Sequence, residues 1–332
     1  MTGSRDLPMT ESRANGQPYC GGCRQGPVRV ACEGSLQRHD IKKAHWECWS
    51  ECNLPCAFCF RTTGAPLDTE RAVSLLRALS AGKVRAVVFA GGDPSLRGDL
   101  AEVVAEAISL GLAVQVQTNG QHVTNSFLRV LGRCEYVGLS IDGPDEDTHD
   151  DFRGKRGNFR HVMALLGRLD VLGVPVSVRT VVSRENYRVI PRIAQLILEH
   201  PNVICWKLLE FTAIGKGRVN QDRYAMPTAL FEHVLQVTED ALGGERGLLE
   251  ALRNVDKIGI YMMISPQGFV YGTTETALML AGHHHYIGSI LSDHLEDLAR
   301  WIPFSSGRLD RRTLPDIQFQ GTGHPRYGKP LD

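Results

Sequence analysis

The sequence predicts an α/β fold, a partial (β/α)6 TIM-like barrel followed by a small α+β C-terminal cap. Two observations carry that expectation. Between residue 45 and about residue 220, short β-like runs alternate with longer amphipathic runs, the pattern of repeated βα units on a parallel sheet. After about residue 221 the rhythm changes to one helix and two strands joined through Ser265-Pro266-Gln267-Gly268, which reads as a hairpin.

Residues 1–44 are rich in Gly, Arg and polar side chains without a sustained apolar period, so they read as an irregular, cysteine-containing N-terminal segment. The barrel is assigned to 45–220 and the cap region to 221–332. Strands are expected over 44–50, 85–90, 112–117, 135–141, 174–182 and 203–211, with helices over 67–82, 99–111, 158–173 and 188–199. In the cap a helix is expected over 228–241, then strands over 258–264 and 269–274.

Lysine plus arginine and aspartate plus glutamate both total 37 in the 332 residues, so no global field draws the chain to nucleic acid or an anionic membrane. A small molecule is the expected partner. The N-terminus lacks the apolar stretch of a secretory signal, and no apolar run approaches the ~20 residues that span a bilayer. A cytoplasmic protein is therefore expected, in which cysteines stay reduced and clustered ones act as metal or redox ligands rather than disulfides. Seven of the nine cysteines lie between Cys20 and Cys59.

Cys52-Asn-Leu-Pro-Cys56-Ala-Phe-Cys59 follows the first expected strand and so lies at a strand's C-terminal end, where barrel enzymes place their chemistry. Three thiolates on a four-iron cubane leave one iron without a protein ligand, whereas a ferredoxin supplies four. A zinc site is the competing assignment, but it favours Cys-x-x-Cys pairs and a closed set of four ligands.

This triplet, with an aromatic residue before its last cysteine, resembles the signature of the radical S-adenosylmethionine (SAM) superfamily, and the resemblance extends over roughly Trp46 to Gly217. It implies a [4Fe-4S] cluster on Cys52, Cys56 and Cys59 and SAM on the open iron. It further implies that Phe58 touches the adenine and that Gly91-Gly92-Asp93-Pro94, matching a Gly-Gly-Glu-Pro pattern with one methylene fewer, faces the SAM amino group. Thr118-Asn119-Gly120 and Ser140-Ile141-Asp142-Gly143 resemble positions near the methionine moiety and ribose. His149-x-x-x-Arg153-Gly154-x-x-Gly157-x-Phe159 resembles a segment of cores of the molybdenum-cofactor-synthesis, peptide-maturase and viperin type, which implies that Arg153 pairs with the SAM carboxylate through a guanidinium fork. Ile214-Gly215-Lys216-Gly217 resembles the loop beside the adenine.

Cys20, Cys23, Cys32 and Cys48 make a candidate second zinc or Fe-S site, with Cys48 equally readable as a buried small hydrophobe on its strand. The cap carries no cysteine after Cys205, unlike caps that hold auxiliary clusters. His283-His284-His285 reads as a polar loop, since adjacent side chains point in different directions.

Candidate substrate contacts are Arg179 on the fifth strand and Lys207 and Glu210 on the sixth, the latter two on opposite faces by strand alternation. Inward-facing Arg179 and Lys207 would complement a carboxylate or phosphate; the alternative is a pair of rim salt bridges. Cys205 is either a hydrogen donor for an epimerase or a core thiol. The resemblance implies hydrogen-atom abstraction from a small polar substrate, with flavodoxin or ferredoxin as electron donor. A sugar or nucleoside in antibiotic biosynthesis is favoured, for instance decarboxylation of a cytosylglucuronate-like compound or an epimerisation. A peptide-modifying maturase and a non-catalytic metal-binding protein are the alternatives.

Overall fold

The structure, a computed structural model, describes residues 43–243, 246–257, 262–272 and 285–293. Six strands appear where the alternation of the sequence puts them: β1 (Lys43–Trp49), β2 (Ala86–Gly91), β3 (Ala113–Thr118), β4 (Tyr136–Ser140), β5 (Val176–Val182) and β6 (Val203–Glu210). Between them run α1 (Thr69–Ala81), α2 (Leu100–Ser109), α3 (Asn125–Leu131), α4 (Glu146–Arg153), α5 (Asn158–Val171) and α6 (Ile193–Glu199). The expected helix over 188–199 is in fact a 3-10 turn at Ile190–Arg192 leading into α6, with Pro191 inside the turn. After β6 come α7 (Lys216–Val219), α8 (Gln221–Tyr224) and α9 (Thr228–Ala241). β7 (Leu249–Leu252), β8 (Met262–Ile264), β9 (Phe269–Gly272) and β10 (His285–Ser289) complete the sheet.

The ten strands of the described residues form one sheet in the order β10-β9-β8-β1-β2-β3-β4-β5-β6-β7. β1 to β7 pair in parallel, and β8 pairs in parallel with β1. The expected hairpin is present as antiparallel β8 and β9. Its first strand pairs with the open edge of β1, just as β7 pairs with that of β6, so the C-terminal region joins the barrel sheet.

Strand alternation sorts the side chains into two sets. Ala44, Trp46 and Cys48 of β1 join Leu75, Leu76 and Leu79 of α1 in the main apolar cluster. Burying a ring the size of Trp46 contributes roughly 1.5–3 kcal/mol. His45 and Glu47 take the opposite, inner face by the strand's two-residue period. Cys48 is therefore packed in the core, matching the reading of it as a buried small hydrophobe on its strand. Its Sγ lies 3.5 Å from the Ala90 carbonyl, and burial pushes its pKa up to about 12. Cys20, Cys23 and Cys32 lie outside the described residues, as do His283 and His284.

Candidate active site

β1 delivers the chain to the C-terminal end of the sheet, and the cysteine loop begins three residues after Trp49. The glycine turn after β2 fixes the loop's start: the Gly92 N–H donates to the Trp49 carbonyl at 2.7 Å and the Asp93 N–H to that of Glu51 at 2.8 Å. Gly91 has φ +119°, and a Cβ at Gly92 would stand 1.9 Å from the Glu51 oxygen, so this approach requires glycine at both positions. The Asp93 carboxylate turns inward. It accepts from the backbone N–H of Ser95 (2.9 Å) and Asn119 (2.7 Å) and from the Thr118 hydroxyl (3.0 Å), and burial raises its pKa. It ties the end of β2 to that of β3, leaving the turn's backbone as the group that can face a ligand.

Asn119 continues the chain of contacts. Its amide nitrogen donates to Asn53 at 2.8 Å and lies 3.4 Å from the Cys52 sulfur, while its carbonyl accepts from Asn158 at 3.0 Å. Asn158 Oδ1 meets His149 Nε2 at 2.9 Å, and His149 Nδ1 accepts from the Asp142 N–H at 3.2 Å. That pairing assigns a neutral imidazole protonated on Nε2; burial lowers its pKa. His149 and Asn158 thus link the ends of β3 and β4 to the cysteine loop.

Asp142 is fully buried and holds Arg153 by a 2.6 Å ion pair from Nε, while its other oxygen accepts from the Val181 N–H at 2.8 Å. Although desolvation opposes it, the Asp142 carboxylate and the Cys56 thiol hold the Arg153 pKa above its ordinary value. The guanidinium lies 5.4 Å from the centre of the Phe58 ring, which also stacks on Phe152 at 4.3 Å. Phe58 is thus a packing ring in a small cluster with Leu54, Cys56, Phe152, Phe211, Ala213 and Tyr224. Ile214 introduces a turn laid on the cysteine loop: the Lys216 N–H donates to the Cys59 carbonyl at 3.1 Å, and Gly215 has φ +56°.

Ser140, Arg179, Lys207 and Glu250 are in register across β4, β5, β6 and β7. Lys207 pairs with Glu250 at 2.6 Å, and Cys205 Sγ lies 3.6 Å from the same carboxylate oxygen. Glu210 is elsewhere. Its carboxylate accepts from the Asn254 N–H (2.7 Å) and the Thr228 hydroxyl (2.8 Å), and its carbonyl takes the Lys257 ammonium. These partners staple β6 to α9 and to the segment after β7, so Glu210 is spent on structure rather than open to a substrate. Lys207 and Glu210 do fall on opposite faces, as alternation requires.

Among the described residues, no group of three or more His, Cys, Asp and Glu side chains converges on a single metal ion. A cubane asks for something wider, since its irons take separate thiolates. Three separate thiols are close together in this loop: burial, with the neighbouring Cys56 and Cys52, raises the Cys59 pKa to about 11. Burial likewise raises Cys56, with Arg153 pulling it back down. Ligation deprotonates such thiols, and Asn119 and Arg153 are placed to stabilise the resulting negative charge.

A parallel barrel carrying three thiols in the loop after its first strand, with an arginine beside them, defines a class of protein built to seat an iron–sulfur cluster with one open iron. Residues 46–197 match the model of the radical SAM superfamily. Residues 46–197 thus carry a radical SAM domain, a family for which a [4Fe-4S] cluster and SAM are expected. It is 32% identical over 186 residues to the Fe-coproporphyrin III synthase of Methanosarcina barkeri, covering 53% of this chain and 46% of that one. It is 25% identical over 273 residues to the S-adenosylmethionine-dependent nucleotide dehydratase of Lacinutrix mariniflava, covering 77% and 54%. The chain spans about half the length of the curated relatives it matches. In fold it is similar to Streptococcus suis SuiB, solved bound to precursor peptide SuiA, with a TM-score of 0.64 at 14% identity over 79% of this chain and 65% of that one. No helix of the described residues is long and apolar enough to cross a membrane.

Sequence reasoning missed Glu47, Gln117, Gly138, Asn158 and Glu250. The alternation Val-Gln-Val-Gln in β3 was the signal available for Gln117. Nothing local marks Glu47, whose partners Thr62 and Tyr271 come from distant segments.

Proposed function

We propose that this chain is a radical SAM enzyme in which Cys52, Cys56 and Cys59 ligate a [4Fe-4S] cluster and the barrel interior holds a small polar substrate, a sugar or nucleoside of natural-product biosynthesis. The observation that carries the reading is the meeting of the thiol loop with the ends of β2, β3, β4 and β6 at one barrel mouth. When bound, the cluster supplies the electron that splits SAM into methionine and a 5'-deoxyadenosyl radical, which takes a hydrogen atom from a substrate carbon.

The protein's part is placement and exclusion of water. Gly91 and Gly92 offer backbone carbonyls to the SAM ammonium, with Asp93 holding the turn from behind. Arg153, anchored by Asp142, offers its remaining guanidinium nitrogens to the SAM carboxylate. Thr118, Asn119 and Ser140 line the mouth near the ribose and methionine. Phe58 and Ile214 sit on the adenine side. An electron donor such as flavodoxin or ferredoxin completes the requirement, and a cytoplasmic location fits that need.

The polar inner faces of β3 to β7, with Gln117, Ser140, Arg179, Lys207 and Glu250, favour a hydrophilic substrate, and the similarity to a nucleotide dehydratase points the same way. Decarboxylation of a cytosylglucuronate-like compound and epimerisation, with Cys205 as hydrogen donor, are the two concrete forms. Modification of a peptide is the second reading, favoured by the likeness in fold to SuiB. Deuterium transfer into 5'-deoxyadenosine from labelled candidates separates them: label from a sugar or nucleoside supports the reading, and label from peptides alone overturns it. An unchanged turnover rate in Cys205→Ala would remove the epimerase form.

A further inference from the structure

Arg179 lies midway along β5, on the face opposite Val178 and Val182, which pack into the helix-covered core. Its Nε is buried and has no hydrogen-bond partner, and among the described residues the guanidinium makes no ion pair. Gln117 Nε2 on β3 is likewise buried without a partner. Gly138 on β4 brings the two together, since a Cβ there would stand 3.1 Å from Gln117 Cγ and 3.6 Å from Arg179 Nε. The strand glycine thus lets two unmet donors approach one another across β4.

Arg179 is half-buried with its Nε shielded from water, and proteins normally give such a guanidinium a carboxylate partner. Here the inner acids are already engaged: Glu250 with Lys207 at 2.6 Å, and Glu47 with Thr62 and with the Tyr271 hydroxyl at 2.7 Å. His45 adds no negative charge; burial, with Arg179, Lys43 and Lys207 behind it, keeps the imidazole neutral. Among the described residues of this face Arg179 has no ion pair, and the other such cation, Lys43 at the start of β1, lies over the Tyr136 ring.

We infer that the barrel interior holds an oxyanion site, made by Arg179 with Gln117 and bordered by Lys207, which binds a carboxylate or phosphate carried by the substrate. This rests on the reading of the barrel interior as the substrate cavity and names the charge of what enters it. Arg179 stands three residues before the C-terminal end of β5, in register with Ser140 at the end of β4, so the anion lies just below the mouth and the reacting carbon faces the cysteine loop. Gly138 admits both side chains, and the Arg fork suits two oxygens of one anion.

The test is calorimetric titration of the full chain, reconstituted with iron and sulfide, with inorganic phosphate and separately with acetate in low-chloride buffer. One or both should bind saturably, and the preferred anion identifies the substrate's group. Arg179→Gln should weaken that binding tenfold or more, Arg179→Lys less, and Gln117→Leu should weaken it measurably even if the Arg179→Gln protein does not fold. Failure of both anions to bind the unsubstituted chain overturns the inference, as does unaltered affinity in Arg179→Gln and Gln117→Leu. SAM cleavage by the unsubstituted protein is measured alongside. Cleavage without anion binding removes only the oxyanion site, whereas anion binding without cleavage removes the proposed function and leaves the site standing.

Discussion

Asn119 donates from one amide nitrogen to Asn53 and toward the Cys52 sulfur, so the end of β3 acts directly on a proposed cluster ligand. Hydrogen bonds to ligating sulfur favour the more negative, reduced cluster. Asn119→Ala should therefore lower the reduction potential of the reconstituted protein, as read by an EPR-monitored redox titration; an unchanged potential would exclude this contact as a tuning bond. The role was only half legible in the sequence. Thr118-Asn119-Gly120 was marked by resemblance, but the partner Asn158 arrives from a helix 39 residues away. Glu47 gives a second test. Burial raises its folded pKa above that of the unfolded chain, although Thr62 and Tyr271 partly offset this. Its contribution is then fully present below the unfolded carboxylate pKa and is lost as pH rises through the folded one. Glu47→Gln, neutral throughout, should gain stability over the unsubstituted chain across that window and none below it. Urea denaturation at a series of pH values measures the difference, and a gap independent of pH would contradict the assignment.

The glycine turn after β2 and the cysteine loop are one device, because the turn's N–H groups hold the loop's first carbonyls. Gly92→Ala puts a Cβ 1.9 Å from the Glu51 oxygen, whereas Gly98 in the same connection has nothing within 4 Å. The first should cost about 1–3 kcal/mol by overpacking and reduce iron uptake, and Gly98→Ala should leave both near the unsubstituted values. Thermal denaturation with iron analysis makes the comparison; equal behaviour of the two variants would show that the turn does not position the loop. The alternation of apolar and polar residues made β1 to β6 readable within one or two residues. Edge pairing is different. It depends on which strand has an unsatisfied edge in three dimensions, and no local pattern in Met262–Ile264 or Leu249–Leu252 says that they extend the barrel rather than form a separate cap.

Across the molecule, the β8–β9 hairpin reaches the far side of the sequence. Tyr271 of β9 hydrogen-bonds Glu47 of β1, and the turn at Pro266 accepts the Leu67 N–H that follows the cysteine loop. Tyr271→Phe should cost about 1–3 kcal/mol, since it leaves a buried carboxylate short of one donor, and should loosen the mouth. Chemical denaturation reads the cost. The three cysteines were legible at once because a cluster demands thiolates at short spacing in one loop. The proposed substrate side was legible only in part: Arg179 and Lys207 stand out by strand position, but Gln117 and Gly138 belong to two other strands and meet Arg179 only when the sheet assembles. The decisive measurement is anaerobic reduction of the iron-and-sulfide-reconstituted chain with dithionite in the presence of SAM. 5'-Deoxyadenosine should accumulate with the unsubstituted protein and not with a Cys52→Ala, Cys56→Ala, Cys59→Ala variant. Equal amounts from the two, or none above a cluster-free control, would contradict the account.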